Sequence, residues 1–430
     1  MRTPSSVPET AETKETPQAS SRALRGRPST RGPRTEAALE AAAIVLNEAG
    51  LTNASLSAVA ERLGVTKSAL YYYFKSKEDV VYQSYLRTSG LASGYAREAS
   101  TASGSGRDRF LHYLKLHFSA PPVAFLSDLA FLTPAHQLEV RAMAHRHDDL
   151  LSGILEDGHR DGSLVVKLPH VTNFAVTGAL NWVFVWFREG PHHLTRPQVG
   201  EMFADLFLHG CNPAGRPVTE WPDPLSVHTP AAPDSAFDRS FQAAQRREVL
   251  FKTASKFFNH RGFDNASIDD IVAALDVSRG ALYHYVSNKE ELLFGCYLRS
   301  MGLTDQVLDK VAGAGGDGLE MQARFIASMI ELNAGPLGPI AGYFRLQSLT
   351  PAHQREARLT SQKLVEKAGY AEIGMRDGSI RQIDGALSRR AIIGALNWLP
   401  RWYSPSGLNS PQEITDTFCS LFINGLAPRP

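Results

Sequence analysis

Apolar residues recur at helical spacing along most of the chain. Leu39, Ala42, Ala43 and Leu46 stand at i, i+3, i+4 and i+7 and give way at Gly50, while Phe251, Ala254 and Phe258 keep the same spacing up to Gly262. Ser55 and Ser267 stand where the N-caps of a second helix belong. Leu56, Val59, Ala60 and Leu63 make its inward stripe, matched by Ile268, Ile271, Val272 and Leu275. Ser267 and Asp270 have the spacing of a capping box. Gly64 and Asp276 then break the helix, both being residue types that accept left-handed backbone. A third helix begins at Thr66 or Ser278 and a fourth at Ser76 or Asn288. No alternating stretch of useful length reads as a strand, so the pattern predicts an all-α fold.

Each of these features occurs twice. "NASLSAVAERLGVTKSALYYYFKSKED" at 53–79 aligns without a gap on "NASIDDIVAALDVSRGALYHYVSNKEE" at 265–291, each residue meeting its counterpart 212 positions on. Downstream, "LTPAH" at 132–136 returns at 349–353, "RDGSL" at 160–164 is answered by "RDGSI" at 376–380, and "GALNW" at 178–182 recurs at 394–398. Several blocks that keep order and near-constant spacing indicate a tandem duplication. Between the copies, the prolines of 212–234 deny that stretch a helix or a central strand and mark a semi-extended linker. The expected division is a basic arm at 1–34, a first reader at 35–85 with a helical body at 86–211, a linker at 212–238, and a second reader at 239–297 with its body at 298–427.

The 430 residues suffice for two cores. With 45 basic and 44 acidic residues, total charge says nothing about nucleic acid, and only local distribution can. Residues 21–34 hold five arginines and no acid, after a stretch rich in Thr, Ser, Pro and Glu, which reads as a disordered tail with a basic end. Within it "RGRP" at 25–28 is identical to the core of an AT-hook, whose Arg25 and Arg27 suit a narrow minor groove; a merely solvated tail fits the motif equally well. Cys211, Cys296 and Cys419 match no metal spacing and leave an odd thiol, and no apolar run is long enough for a membrane span. A cytoplasmic protein without disulfides is expected.

Two short helices joined by a tight turn, the second opened by a hydroxyl cap and carrying polar groups outward, meet the mechanical requirement of a helix-turn-helix DNA reader. Ala69, Leu70 and Tyr73 fall on the inward stripe, while Thr66, Lys67, Ser68, Tyr71 and Tyr72 point elsewhere. Lys67 or Arg279 suits guanine O6 and N7, and the hydroxyls and tyrosines suit phosphate and thymine methyl. Lys77 and Lys289 open the next helix, where they and the backbone amides can meet phosphate.

At these residues the sequence resembles the tetracycline-repressor (TetR) family of bacterial transcriptional regulators. The resemblance rests on "TNASLSAVAERLGVTKSALYYYFKSKEDVV" and "DNASIDDIVAALDVSRGALYHYVSNKEELL" and is strong over about 50 residues of each copy. It implies a three-helix DNA-binding head, a connecting helix and a helical ligand-binding body. DNA contacts would fall on Thr66, Lys67, Ser68, Tyr71, Tyr72, Tyr73 and Lys77, and on Ser278, Arg279, Gly280, Tyr283, His284, Tyr285 and Lys289. Family members carry one such unit and dimerise through their last two helices, so this chain is expected to build the pseudo-dimer within itself, with or without further association of two chains. Its heads differ, Tyr72 against His284 and Lys67 against Arg279, which predicts an operator with unequal half-sites.

"AVTGALNWVFVWF" and "AIIGALNWLPRWY" are apolar around most of their circumference, as buried or shared helices are. Trp182, Trp186, Trp398 and Trp402 suit a core by composition. The "NW…W" arrangement also resembles regulators of this family that sense acyl-coenzyme A thioesters or related breakdown products, with Arg401, present in the second half only, as an anchor for an anionic group. No cofactor or metal is expected: "GAGGDG" at 313–318 lacks the lysine and hydroxyl of a phosphate loop, and His145 and His147 are splayed on a helix and read as solvated surface residues. These readings exclude an enzyme and leave a ligand-independent architectural DNA-binding protein as the alternative to a ligand-responsive repressor.

Overall fold

The computed structural model describes residues 32–126, 129–187, 194–213, 215, 217–227, 239–342 and 346–429. The arm arginines Arg25 and Arg27 lie outside them. Among the described residues all regular structure is helical. The first half runs α1 (Pro33–Asn53), α2 (Leu56–Leu63), α3 (Lys67–Leu70), α4 (Lys77–Thr101), α5 (Gly106–Phe118), α6 (Pro134–Arg160), α7 (Pro169–Trp186) and α8 (Arg196–His209). The second runs α9 (Arg239–Arg261), α10 (Ile268–Leu275), α11 (Arg279–Tyr283), α12 (Lys289–Ala314), α13 (Gly318–Ala334), α14 (Pro351–Lys367), α15 (Tyr370–Asp377), α16 (Gly385–Trp402) and α17 (Pro411–Cys419), which a π-helical turn, Ser420–Asn424, prolongs. The fold is all-α and duplicated, as the periodicity predicts. The sixth helix of the first half corresponds to two in the second, α14 and α15.

The caps fall where the sequence places them. Ser55 and Ser267 accept from Ala58 N and Asp270 N, and Thr66 and Ser278 from Ala69 N and Ala281 N. Asp270 does not complete a capping box, because its carboxylate pairs with Arg261 at 2.7 Å. Gly64 is left-handed (φ 70°), and Asp276 (φ 53°) is the one non-glycine residue with positive φ among those described.

Two repeated motifs acquire a structural role. In "RDGS", Asp161 accepts from Gly106 N and Ser163 from Arg107 N, closing the N-terminus of α5 against the end of α6; Asp377 and Ser379 do the same for Gly318 and Leu319 of α13. In "LTPAH", Thr133 N and His136 Nδ1 both meet Glu78 Oε1 (3.1 and 2.8 Å), and His136 stacks on Tyr82. Thr350, His353, Glu290 and Phe294 repeat this bolt, which ties each body to the first turn of its connecting helix.

The halves meet along α7 and α16, which cross at glycine. A β-carbon on Gly178 would lie 2.6 Å from Trp398 Cβ, and one on Gly394 2.5 Å from Trp182 Cβ. Where the last helices of the two halves end, Cys211 N donates to Phe422 O and Leu426 N to Phe207 O, while Val165 N donates to Leu426 O and Arg381 N to Cys211 O. These are symmetry-related pairs, so the halves face each other across a pseudo-two-fold axis and share one apolar core. The stretch after Asn212 is anchored along part of its length: Leu225 N donates to Ser328 Oγ and Lys310 Nζ to Ser226 O. The head cores are separate from the shared one.

Candidate nucleic-acid interface and enclosed cavities

Each head seats its short third helix by one leucine, Leu70 or Leu282, both buried. Around that anchor the side chains face solvent: Tyr71 is 51 % exposed, Tyr72 88 % and Tyr283 48 %, and Thr66, Lys67, Ser68, Ser278, Arg279, Gly280 and His284 are exposed too. Aromatic side chains exposed together in one turn are a feature of interaction surfaces. Tyr73 and Tyr285 lie partly buried against the head cores and meet the ring before them edge to face. Ala69, expected to face inward, is exposed, as is its counterpart Ala281, because α3 and α11 are too short to carry an inward stripe beyond their leucine.

The heads differ most at the cation near the start of this helix. Arg279 donates through Nε and Nη2 to both carboxylate oxygens of Asp269. That bidentate pair leaves the opposite edge of the guanidinium available. The first head has Ser57 in place of Asp269, and Lys67 makes no ion pair among the described residues. The two lysines of the next turn are engaged: Lys289 donates to Asp264 O and lies over the Phe263 ring, and Lys77 lies 5.9 Å from the Phe131 ring centroid. Burial lowers the Lys77 pKa, and the charge of Asp264, from the other head, opposes that shift. Asn53 Nδ2 also donates to Gln347 O, so the first head leans on the second half. Arg87, bonded to Glu36, Glu40 and Pro122 O, and Arg299, bonded to Glu248 and Leu337 O, lock each first helix to its connecting helix.

Each body holds a partly open cavity, of about 390 Å³ in the first half and about 360 Å³ in the second. Their walls are exchanged. Trp398, Arg401 and Trp402 of the second half line the first cavity, and Trp182 and Trp186 of the first half line the second. The sequence sets these tryptophans on two like helices but could not say that each serves the opposite half. Trp402 stacks on Phe174 at 4.8 Å, and Arg401 packs over Trp398 and donates to Leu126 O. The indole N–H groups of Trp186 and Trp402 have no acceptor among the described residues.

His147 is not a surface residue. It is buried, its Nε2 pairs with the Tyr113 hydroxyl at 2.8 Å, and Asp148 lies beside its other nitrogen. His117 is partly buried and lines the first cavity. Burial, then Arg196 and His147, holds its pKa down at about 3, against 6.5 for a free imidazole. His117 is therefore neutral in the folded chain and takes up a proton on unfolding, so its contribution is complete above about pH 6.5 and declines as the pH falls toward 3. The decline is at most about 1.4 kcal/mol per pH unit. Urea midpoints between about pH 7 and 4 are expected to fall for the native chain and to fall less steeply for His117→Met, the residue found at the equivalent position, 329.

Two helix-turn-helix heads, each bolted by a long helix to a helical body with a cavity, define a DNA-binding regulator. Residues 38–82 and 250–296 match the family described as "Bacterial regulatory proteins, tetR family", and 112–211 and 316–426 match "Tetracyclin repressor-like, C-terminal domain". The chain belongs to the TetR family of transcriptional regulators, as a tandem repeat of its unit. Similar proteins include the HTH-type transcriptional repressor KstR2 of Rhodococcus jostii, 27 % identical over 202 residues that make 45 % of this chain and 97 % of that protein. KstR2 of Mycolicibacterium smegmatis is 24 % identical over 204 residues, 44 % of this chain and 94 % of its own. Among solved structures, the TetR-family regulator PfmR from Thermus thermophilus is 25 % identical and covers 39 % of this chain and 95 % of its own, with a TM-score of 0.33. AibR in complex with isovaleryl coenzyme A and operator DNA is 20 % identical and covers 40 % and 96 %, with a TM-score of 0.35. Each therefore corresponds in length to one half of this chain. No helix among the described residues is long and apolar enough to cross a membrane.

Proposed function

We propose that this regulator is a ligand-responsive repressor in which one polypeptide sets two unlike heads on one asymmetric operator. In this reading the exposed groups of 66–72 and 278–284 meet bases and phosphates, with Tyr73 and Tyr285 at their margin, and the amides opening α4 and α12 meet phosphate together with Lys77 and Lys289 once these release their present partners. Arg25 and Arg27 add affinity from the arm. The division into arm, heads, bodies and linker inferred from the sequence is kept.

The observation that carries the ligand response is the exchange of cavity walls. A molecule filling the first cavity touches Trp398, Arg401 and Trp402. Arg401 also lines a crevice with Phe258, Phe263 and Tyr297 of the second head and its connecting helix. Ligand binding in one half thus bears on the head of the other, and it releases DNA to the extent that it favours the arrangement that cannot span the operator. An apolar, aromatic cavity with a cation fits an amphipathic anion, of which acyl-coenzyme A thioesters are the class to titrate. Acyl-CoAs of graded length added to the DNA complex are expected to release it, and Arg401→Val, the residue at the equivalent position 185, should raise the concentration needed by about tenfold. Release by none of them would remove this effector class.

A further inference from the structure

The cavities occupy equivalent places in the two halves, yet they differ in chemistry at four equivalent lining positions. In the first, the Tyr113 hydroxyl pairs with His147 Nε2 at 2.8 Å, and the Tyr113 and His117 ring centroids are 6.1 Å apart. A phenol oxygen engaged in one hydrogen bond keeps capacity for another, and a neutral imidazole offers one donor and one acceptor. This wall can therefore answer a ligand oxygen, with Tyr113 and His147 already paired to each other. In the second cavity the equivalent positions are Phe325, Met329, Leu364 and Val365, and all four line it. They replace Tyr113, His117, His147 and Asp148, so a hydroxyl placed there meets none of those partners.

The outer parts differ less. Arg141 and Arg358 are equivalent, exposed, and line the first and second cavity respectively. Beside Arg358, Arg390 lies 4.5 Å over the Trp186 ring, and neither makes an ion pair among the described residues, whereas Arg389 is matched by Glu372 at 2.9 Å. Arg358 and Arg390 thus offer positive charge at the solvent-facing side of an apolar space.

We propose that the two cavities select different ligands: the first an amphipathic acid that carries a hydroxyl or carbonyl oxygen at its buried end, the second an unsubstituted acyl chain whose anionic head Arg358 and Arg390 hold. The inference rests on the reading that the cavities are effector sites, and adds that one chain answers two effectors. Discrimination in the first follows from the hydrogen bond that Tyr113 and His117 can still make to a ligand oxygen, and in the second from the apolar surface of Phe325, Met329, Leu364 and Val365 at those positions, although Thr304, Ser361, Gln362 and Asn397 also line that cavity.

Titration calorimetry of the full chain without DNA, using decanoate and ω-hydroxydecanoate, tests this. The hydroxy acid is expected to bind one site whose affinity falls by about tenfold or more in Tyr113→Phe/His147→Leu, with decanoate binding unchanged. Arg358→Ala/Arg390→Ala should weaken decanoate and leave the hydroxy acid as it was. If the first double variant fails to fold, Tyr113→Phe alone removes a single oxygen and carries the same expectation. Competition of both acids for one site, equal weakening of both by either variant, or binding of neither overturns the proposal. A chain that binds its two ligands as expected yet keeps full operator affinity when loaded would instead overturn the effector reading and leave the selectivity standing.

Discussion

Gly394→Val is expected to destabilise the whole chain by about 1–3 kcal/mol in urea and to weaken operator binding although it lies far along the chain from either reader. The reason is the closeness of α7 and α16. A β-carbon at 394 would stand 2.5 Å from Trp182 Cβ and 3.0 Å from Gly178 O, and neither neighbour is the free end of a flexible side chain. The helices must move apart, and Trp182, a wall of the second cavity, moves with them. Gly178→Val meets Trp398 Cβ and the Ala395 backbone in the same way, so the two substitutions act on one contact, and together they should cost less than the sum of their separate effects. Gly153→Ala in α6 is the control: nothing lies within 4 Å of its added carbon, and a helix gains from alanine there. Wild-type stability in Gly394→Val would mean that the halves do not depend on this crossing.

What was legible in the sequence was whatever local chemistry enforces. Ser55, Thr66 and Ser76 cap helices because each can satisfy an orphan amide from its own position, and Gly64 and Asp276 turn the chain for reasons of backbone sterics. The duplication made these assignments firmer, since each was read twice. Contacts between residues far apart along the chain left no such trace. "RDGS" and "LTPAH" announced themselves as repeats, but their partners at Gly106 and Glu78 lie 55 and 58 residues from Asp161 and His136. His147 looked like a surface residue because its helix is rich in charge, and only the fold brings Tyr113 to it. The exchange of tryptophans between halves was hidden for the same reason. The two copies do carry one signal of the cavity: Tyr113, His117 and His147 are replaced by Phe325, Met329 and Leu364, a loss of polarity that marks its wall.

Disabling one head is expected to have the largest effect on DNA binding. Lys67→Ala, Tyr71→Ala and Tyr72→Ala together remove the most exposed groups of the first reader without touching Leu70, its anchor. The second head would then bind alone, and the advantage of joining two readers, on the order of 10²–10⁴ in affinity, would disappear. That advantage depends on how firmly the heads are held, and here the α7–α16 crossing and the Arg87 and Arg299 locks hold them. The reciprocal variant, Arg279→Ala with Tyr283→Ala and His284→Ala, should cost as much on the natural operator and yet leave a different footprint. Arg279, steadied by Asp269, presents a planar edge suited to a guanine, whereas Lys67 presents a point charge, so the half-site lost with the second head should be the more sequence-specific of the two. Binding sites selected from random duplexes by the native chain and by each variant would display both half-sites and then one at a time. A perfect palindrome selected by the native chain, or undiminished affinity after loss of either reader, would mean that the two heads do not divide one asymmetric operator between them.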